Sequence, residues 1–508
     1  MSASTGVGPV KPNNDIEVVG RPEAGTVVDA ATGEAPPTPA RSTGYWIGVL
    51  VILALLSEEV AYAFNLVTPA LPQMATAFGT TQIAWVSTLF SLAGAISAPL
   101  IGKLADRQGK KKWLLITAGA MAVGSAIVAL APTFEIALVG RTIEGFGIAI
   151  VPITYSLMRD IFPKKLMALA VSVATAGIGI TTIVGPIFAG LLIDNFGYRG
   201  VFTALAVFPV VIGAALFFVV PETPIRVRTS IDWVGGLLLG ASIGVLLYAL
   251  GEGATWGWDS ATFVLVAGLG VLLLVGWGFY ERRITEPLID LVVLRSRGVV
   301  TTVIAQFTGQ AVIVIQFVLL AYIVQTPIAL GLTYGLGQDA SYMARITAVA
   351  GVASVAMGFL VGWLAERSGA RLPNLAGFAL MALGSASLAV QHDTTAWILI
   401  GYLVYGFGGG LVSAAIPNLV ISATPLKLQA VTATTVGVVG SLGSAVAVQL
   451  IFVILGGNVI NLVEGAPIYG GGGFTAVYWL ATGLAVVGLV ATAVMRHGRR
   501  PASVEAAA

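Results

Sequence analysis

The 508-residue chain is 57% hydrophobic and 10% charged, with a formal net charge of +2, whereas a soluble domain carries about 25% charged residues. That balance, with a mean hydropathy of +0.93, excludes a soluble globule and offers nucleic acid no electrostatic footprint. Zero cysteines and two histidines, His392 and His497, exclude thiol chemistry and the usual zinc or iron–sulfur ligand sets.

Residues 1–43 concentrate Pro, Gly, Thr and acids (GEAPPTPARSTG) and hold no apolar run. They read as a disordered cytoplasmic tail, and without a short apolar core and cleavage site they do not read as a signal peptide. Apolar spans follow at roughly 45–72, 82–104, 113–131, 134–158, 167–192, 200–220, 231–251, 261–280, 299–324, 342–365, 373–391, 396–421, 431–456 and 475–495. Each is about long enough to cross some 30 Å of hydrocarbon, and each is solidly apolar where a barrel strand alternates. The expectation is fourteen transmembrane helices.

Charge tests the count, because Lys and Arg gather in short cytoplasmic loops. With the N-terminus inside, the clusters Lys103–Lys112, Arg159–Lys165, Arg226/Arg228, Arg282–Arg297, Arg367/Arg371, Lys427, Arg496–Arg500 and the bases of the tail all fall inside, leaving only Arg141, Arg199 and Arg345. Both termini are therefore expected in the cytoplasm. GKLADRQGKKK (Gly102–Lys112) also recurs 260 residues later as GWLAERSGAR (Gly362–Arg371). Two homologous six-helix halves, 44–222 and 299–496, with two extra helices and linkers at 223–298 and a cytoplasmic tail at 497–508, explain that offset. Parallel repeats of this kind belong to transporters that rock their halves about a midplane site.

The first loop, through Gly102, Leu104, Asp106, Arg107, Gly109, Lys110 and Lys111, resembles the loop signature of the major facilitator superfamily. Physically, its glycines permit close helix passage, and Asp106 can pair with a base or a helix N-terminus in the other half. AGIGITTIVGPIFAGLL resembles the antiporter signature of its drug:proton exporters through Gly177, Gly185, Pro186 and Gly190, and implies export. Ile231–Asp259 and Glu286–Gly298 are similar to the extra-helix region of the fourteen-helix drug:proton antiporter branch. The resemblance spans about 45–495 and implies an all-α major facilitator fold with two pseudo-symmetric halves. It adds Arg159 and the second loop's Gly362, Glu366 and Arg367 to the gating residues.

Ionisable groups inside a membrane face a cavity or a partner. Glu58 and Glu59 in the first span and Arg141 and Glu144 in the fourth share a level in the outer half of the bilayer. They are the candidate proton-coupling cluster, the acids binding a proton and Arg141 biasing its release. The alternative is a static ion pair. Aligned on Ala70–Leu71–Pro72, the branch's usual helix 1 acid falls at Ala63 and its Thr at Asn65, so Glu59 stands one turn early. Candidate substrate contacts are Tyr62 and Asn65 on the Glu58 face, Gln306 and Gln310 on one face of the ninth span, and Tyr402 and Asn418 in the twelfth.

The glycine runs Gly406–Gly410 and Tyr469–Phe474 read as helix packing and as a flexible external connector. No G-x-x-x-x-G-K-[ST] stretch occurs, so no nucleotide is expected. With no catalytic constellation the chain is not expected to be an enzyme. The reading is a proton-coupled exporter of hydrophobic or cationic drugs or toxic compounds across the cytoplasmic (inner) membrane, monomeric, without cofactor or metal, and energised by the proton gradient. Export of an endogenous lipid, siderophore or metabolite is the alternative, and proton symport for uptake a lesser one.

Overall fold

Unbroken apolar sequence between caps makes long helices, since in hydrocarbon every backbone polar group must bond within its own segment. A computed structural model describes residues 42–500 except 228–229, 286, 290, 292–293, 295, 329–331, 333, 425–427 and 464, and omits the side chains at 164, 168–169, 171–176, 178–179, 366 and 430. Nearly all of the expected N-terminal tail, residues 501–508, Arg228, Lys427 and the side chain of Glu366 lie outside the described residues.

The helices are α1 (Thr43–Val67), α2 (Leu71–Phe78), α3 (Ala84–Gln108), α4 (Lys110–Leu130), α5 (Phe134–Gly145), α6 (Ile150–Ile161), α7 (Lys164–Val219), α8 (Trp233–Trp256), α9 (Ala261–Glu281), α10 (Arg297–Gln325), α11 (Ala340–Ser368), α12 (Arg371–Val390), α13 (Thr395–Ala423), α14 (Gln429–Gly456) and α15 (Gly471–Val494). Side chains of Ser42, Asp232, Ser260 and Asp339 cap α1, α8, α9 and α11 by accepting from backbone amides of the first turn, as N-cap chemistry requires.

Among the described residues, thirteen helices are long and apolar enough to cross a membrane. One of them, the 56-residue α7, holds two of the fourteen spans expected from sequence: Gly197, at φ 66° and ψ −173°, breaks it. Glycine tolerates that φ, and Gln73 accepts the amide of Tyr198 at 2.6 Å just past the break.

Two bundles, α1–α7 and α10–α15, repeat one packing scheme. A Cβ at Gly124 would lie 2.6 Å from both the Glu144 amide and the Gly140 carbonyl; one at Gly384 would lie 2.8 Å from the Tyr405 amide and 2.9 Å from the Gly401 carbonyl. The glycines are again 260 residues apart, so the repeat seen in the loops extends to the helix crossings, where only small residues let backbones meet. Of the extra helices, α8 sets Gly236, Gly240 and Gly244 against Leu100, Ile96 and Leu92 of α3, and Gly251 against Gln449 of α14. It therefore lies along the line where α3 and α14 join the bundles.

The two ends of the molecule differ. At one, a hairpin of β1 (Val459–Val463) and β2 (Ala466–Tyr469) follows α14. The sequence reading made Tyr469–Phe474 a connector, but Tyr469 closes a strand and Gly471–Gly473 form the first turn of α15. Here the bundles share one core, joining Leu66, Met74 and Phe202 to Ile315, Ile323 and Ile346. At the opposite, basic end, a separate core of Val49, Leu53, Leu114, Leu157 and Leu216 contains, among the described residues, none of α10–α15, and Phe359 and Trp363 of α11 are 75% and 52% exposed. The bundles are closed at the hairpin end and parted at the basic end.

Candidate functional site

Four ionisable side chains from two helices, α1 and α5, are buried inside the first bundle. Glu59 is fully buried, and neither of its carboxyl oxygens has a hydrogen-bond partner among the described residues. Its neighbour Glu58, 5% exposed, accepts from the Thr181 hydroxyl of α7 at 2.6 Å through Oε2, while Oε1 is unpartnered among the described residues. A Cβ at Gly177 would stand 2.5 Å from that Oε1; α7 reaches this acid only because residue 177 is glycine. Thr181, one turn beyond Gly177, went unnoticed in the sequence, although i+4 spacing from a motif glycine was a usable signal.

Arg141 and Glu144, three residues apart on α5, pair at 2.7 Å with side-chain exposures of 1% and 0%. Arg141 also donates from Nε to the Val86 carbonyl at 2.9 Å and stacks its guanidinium 4.4 Å over the Phe90 ring. Directly after Glu144 the helix tightens into a 3₁₀ segment, Phe146–Ala149, before α6 resumes; such breaks mark places where the regular ladder yields to packing. Gly145 there abuts the Phe90 carbonyl and Gly147 the thioether of Met121. Glu59 lies within electrostatic range of Glu144. Of the three buried carboxyl groups, only Glu144 is paired with the guanidinium among the described residues.

The second bundle carries an uncharged counterpart. By the glycine framework, Tyr402 and Tyr405 of α13 stand where α5 has Arg141 and Glu144, and Ser385 stands where α4 has Ser125. Gln316 of α10, fully buried, donates from Nε2 to Ser385 at 2.7 Å and leaves Oε1 unpartnered among the described residues. Tyr402, expected to contact substrate, is 2% exposed and donates its hydroxyl to the Gln316 carbonyl, inside this core. The other candidate contacts are half-buried: Tyr62 packs edge-on to Phe208, Asn65 and Asn418 donate to their own helices at Ala61 and Ala414, and Gln306 rests against Gly440 of α14, one turn of α10 before Gln310.

The motif residues divide between the ends. Gly185 admits Asn65 of α1, and Gly190 admits the backbone of Ser341 on α11, four residues past the in-helix Pro186. One turn after Gly190, the Asp194 carboxylate accepts from the amides of Ala340 and Ser341 at 3.1 and 3.0 Å and from the Ser341 hydroxyl. A side chain of the first bundle thereby caps the helix that opens the second bundle's α11. At the basic end, Gly109 has φ 127° and is crowded by Glu222 and Arg226, whereas among the described residues nothing approaches Gly102 or Gly362, so none makes a close helix passage at those two.

The expectation that Asp106 pairs across to the other half is corrected. It pairs with Lys110 one turn on, at 3.3 Å, and buried Lys110 also bridges to Asp160. With the ends parted there, the other bundle is out of reach. Glu222, beyond α7, instead caps α4 by accepting from the amides of Lys111 and Lys112. Arg107 and Arg159 are exposed, and Arg367 stacks 3.9 Å over Trp363.

Two like helical bundles that close over a buried ionic cluster at one end and part at the other have the build of a membrane transporter. The comparisons place it. The profile of the Major Facilitator Superfamily matches residues 60–448, and the chain belongs to that family. It is 30% identical over 410 residues to the Multidrug resistance protein Stp of Mycobacterium tuberculosis, covering 77% of this chain and 72% of the relative. Multidrug resistance protein 3 of Bacillus subtilis is 26% identical, with 72% of each chain covered. The crystal structure of the human organic anion transporter MFSD10 superposes with a TM-score of 0.57 at 16% identity, over 89% of this chain and all of that one, which speaks for the fold alone. The protein is a multi-pass membrane transporter and not an enzyme.

Proposed function

We propose that this transporter exports small hydrophobic or cationic compounds, drugs among them, in exchange for protons across the cytoplasmic membrane, as a monomer with both termini in the cytoplasm and no cofactor. The observation that carries the reading is the ratio in the buried cluster: Glu58, Glu59 and Glu144 against Arg141 alone. An uncompensated carboxylate out of water costs several kcal/mol (order of magnitude), so proton uptake is the low-cost way to neutralise such a site. Glu59, without a hydrogen-bond partner among the described residues, is the group that exchanges the proton, and Glu58 with Glu144 tunes it. The printed names of Stp and its Bacillus counterpart support drugs as cargo.

With the basic end in the cytoplasm, the state described faces inward. Substrate enters between the parted bundles toward Tyr62, Asn65, Gln306, Gln310 and Asn418. Release of the Asp194 cap on α11 opens the opposite end, and the Asp106 loop closes the basic one. Segments 44–222 and 299–496 move as the two halves, with 223–298 riding on the seam. Proteoliposomes with an imposed pH gradient test this by following a lipophilic cationic dye and protons together. Wild type should exchange the two, and Glu59→Gln should abolish gradient-driven dye movement. Normal coupled exchange in Glu59→Gln would remove the proton role assigned to that residue.

A further inference from the structure

The extra helices hold two buried acids that the proposed coupling cluster does not use. Asp232 caps α8 and is 6% exposed; Glu281 ends α9 and is 2% exposed. One oxygen of each is bonded. Asp232 Oδ1 accepts from the Gly235 amide at 2.8 Å and the Tyr280 hydroxyl at 3.1 Å, and Glu281 Oε1 accepts from the Ile289 amide at 2.7 Å. The other oxygen of each, Asp232 Oδ2 and Glu281 Oε2, has no partner among the described residues.

Those two orphans face the same spot. A Cβ at Gly235 would lie 2.0 Å from Asp232 Oδ2 and 2.8 Å from Glu281 Oε2, so the oxygens are separated by no more than the sum of these distances. Residue 235 must be glycine to leave that space. No ion pair among the described residues includes either acid. On α3, Lys103 reaches the Pro287 carbonyl with its Nζ; α14 contributes Val438, which is apolar; α9 adds the Tyr280 phenol, and the exposed Arg282 and Arg283 follow it. Glu286 and Asp290 lie outside the described residues.

Two ionised carboxylates at this range, out of water, repel each other, and a single proton between them converts the repulsion into a hydrogen bond. We propose that Asp232 and Glu281 bind one proton between them, a proton site separate from the Glu58–Glu144 cluster, and that this proton fastens the strap leading into the second bundle. Glu281 Oε2 carries it and donates to Asp232 Oδ2, giving both orphan atoms a partner at once. The strap is Pro287–Ile289: Leu288 and Ile289 are buried in the seam core with Leu100 and Val438, and Lys103 of the motif loop holds Pro287. Loss of the proton would part the acids and loosen Ile289. Because α8 lies along the seam, the clasp acts where the bundles must slide.

Infrared difference spectroscopy on the purified full chain at neutral pH tests the proposal with Glu281→Gln and Asp232→Asn. Either amide supplies a permanent N–H in place of the shared proton and keeps every other bond. Both difference spectra should lose the carbonyl stretch of a protonated carboxylic acid. No lost band in either, meaning two ionised groups, would overturn the idea, as would a band that survives Asp232→Asn, meaning Glu281 protonated on its own. Hydrogen exchange of the segment around Ile289 in wild type is the second readout and needs no variant. Exchange should accelerate with pH beyond its intrinsic base dependence, and a purely intrinsic dependence sinks the proposal. Neither readout depends on transport, so they stand apart from the exporter reading.

Discussion

Replacing Arg141 by Met removes the only guanidinium of the buried cluster while keeping an unbranched side chain against Phe90. The structure sets the scale of the damage. Arg141 is 1% exposed, its partner Glu144 0%, and the 2.7 Å bond between them has no competing water route at the surface. Removing one member of a buried pair costs about 3–5 kcal/mol, chiefly because the other charge is left uncompensated. The Val86 carbonyl also loses its donor at 2.9 Å, and an abandoned buried acceptor costs about 1–3 kcal/mol. Replacing both members should recover much of the first term, since Arg141→Met with Glu144→Gln leaves no unpaired charge. The expected interaction energy is about 2–3 kcal/mol, read from reversible unfolding in mixed detergent micelles for wild type, both single variants and the double. Additivity within about 0.5 kcal/mol would refute the view that Glu144 depends on Arg141 and would leave Glu59 or Glu58 as the guanidinium's true partner.

At the hairpin end, Asp194→Ala should weaken closure, because Asp194 bonds two amides and the hydroxyl at the start of α11. A cap is worth about 0.5–2 kcal/mol, so the open population should rise about tenfold. Spin labels at exposed Ala77 and Ile460 report the distance, and an unchanged distribution would mean the cap does not hold that end shut. In the neutral counterpart, Gln316→Glu should destabilise the protein more at alkaline than at acid pH, whereas Gln316→Met should cost the same at both; equal losses for Gln316→Glu would show that water reaches this site. Burial pushes the His392 imidazole below its usual value, against the Leu388 carbonyl and Asp393, which act the other way. A base whose folded-state value is depressed stabilises the fold only while neutral, so stability should fall as the pH drops below about 6.5. His392→Gln should flatten that limb of the melting curve, and an undiminished acid limb would assign it to other groups.

Sequence alone determined the class, the helix positions and the ionisable cluster. Hydrocarbon permits no unbonded backbone, so apolar run length converts directly into helices, and the cost of burying charge singles out Glu58, Glu59, Arg141 and Glu144 without coordinates. The 260-residue repeat likewise announced two bundles before their matching glycine crossings were seen. Only the tertiary structure decided who pairs with whom. Sequence spacing brought Arg141 to Glu144 but left open which acid would hold it. Thr181 came to Glu58 from another helix, Gln316 and Tyr402 became a neutral copy of the charged site, and Asp106 turned to Lys110 because the basic end is parted. The acids of the extra helices, Asp232 and Glu281, are 49 residues apart in the chain and look unremarkable there as a helix cap and a helix terminus. What joins them is the antiparallel packing of α8 on α9 and the missing side chain of Gly235. Apolar length and charge cost are properties of a single segment, whereas pairing depends on how segments cross, which in a membrane is fixed by small residues whose contacts no local pattern reveals.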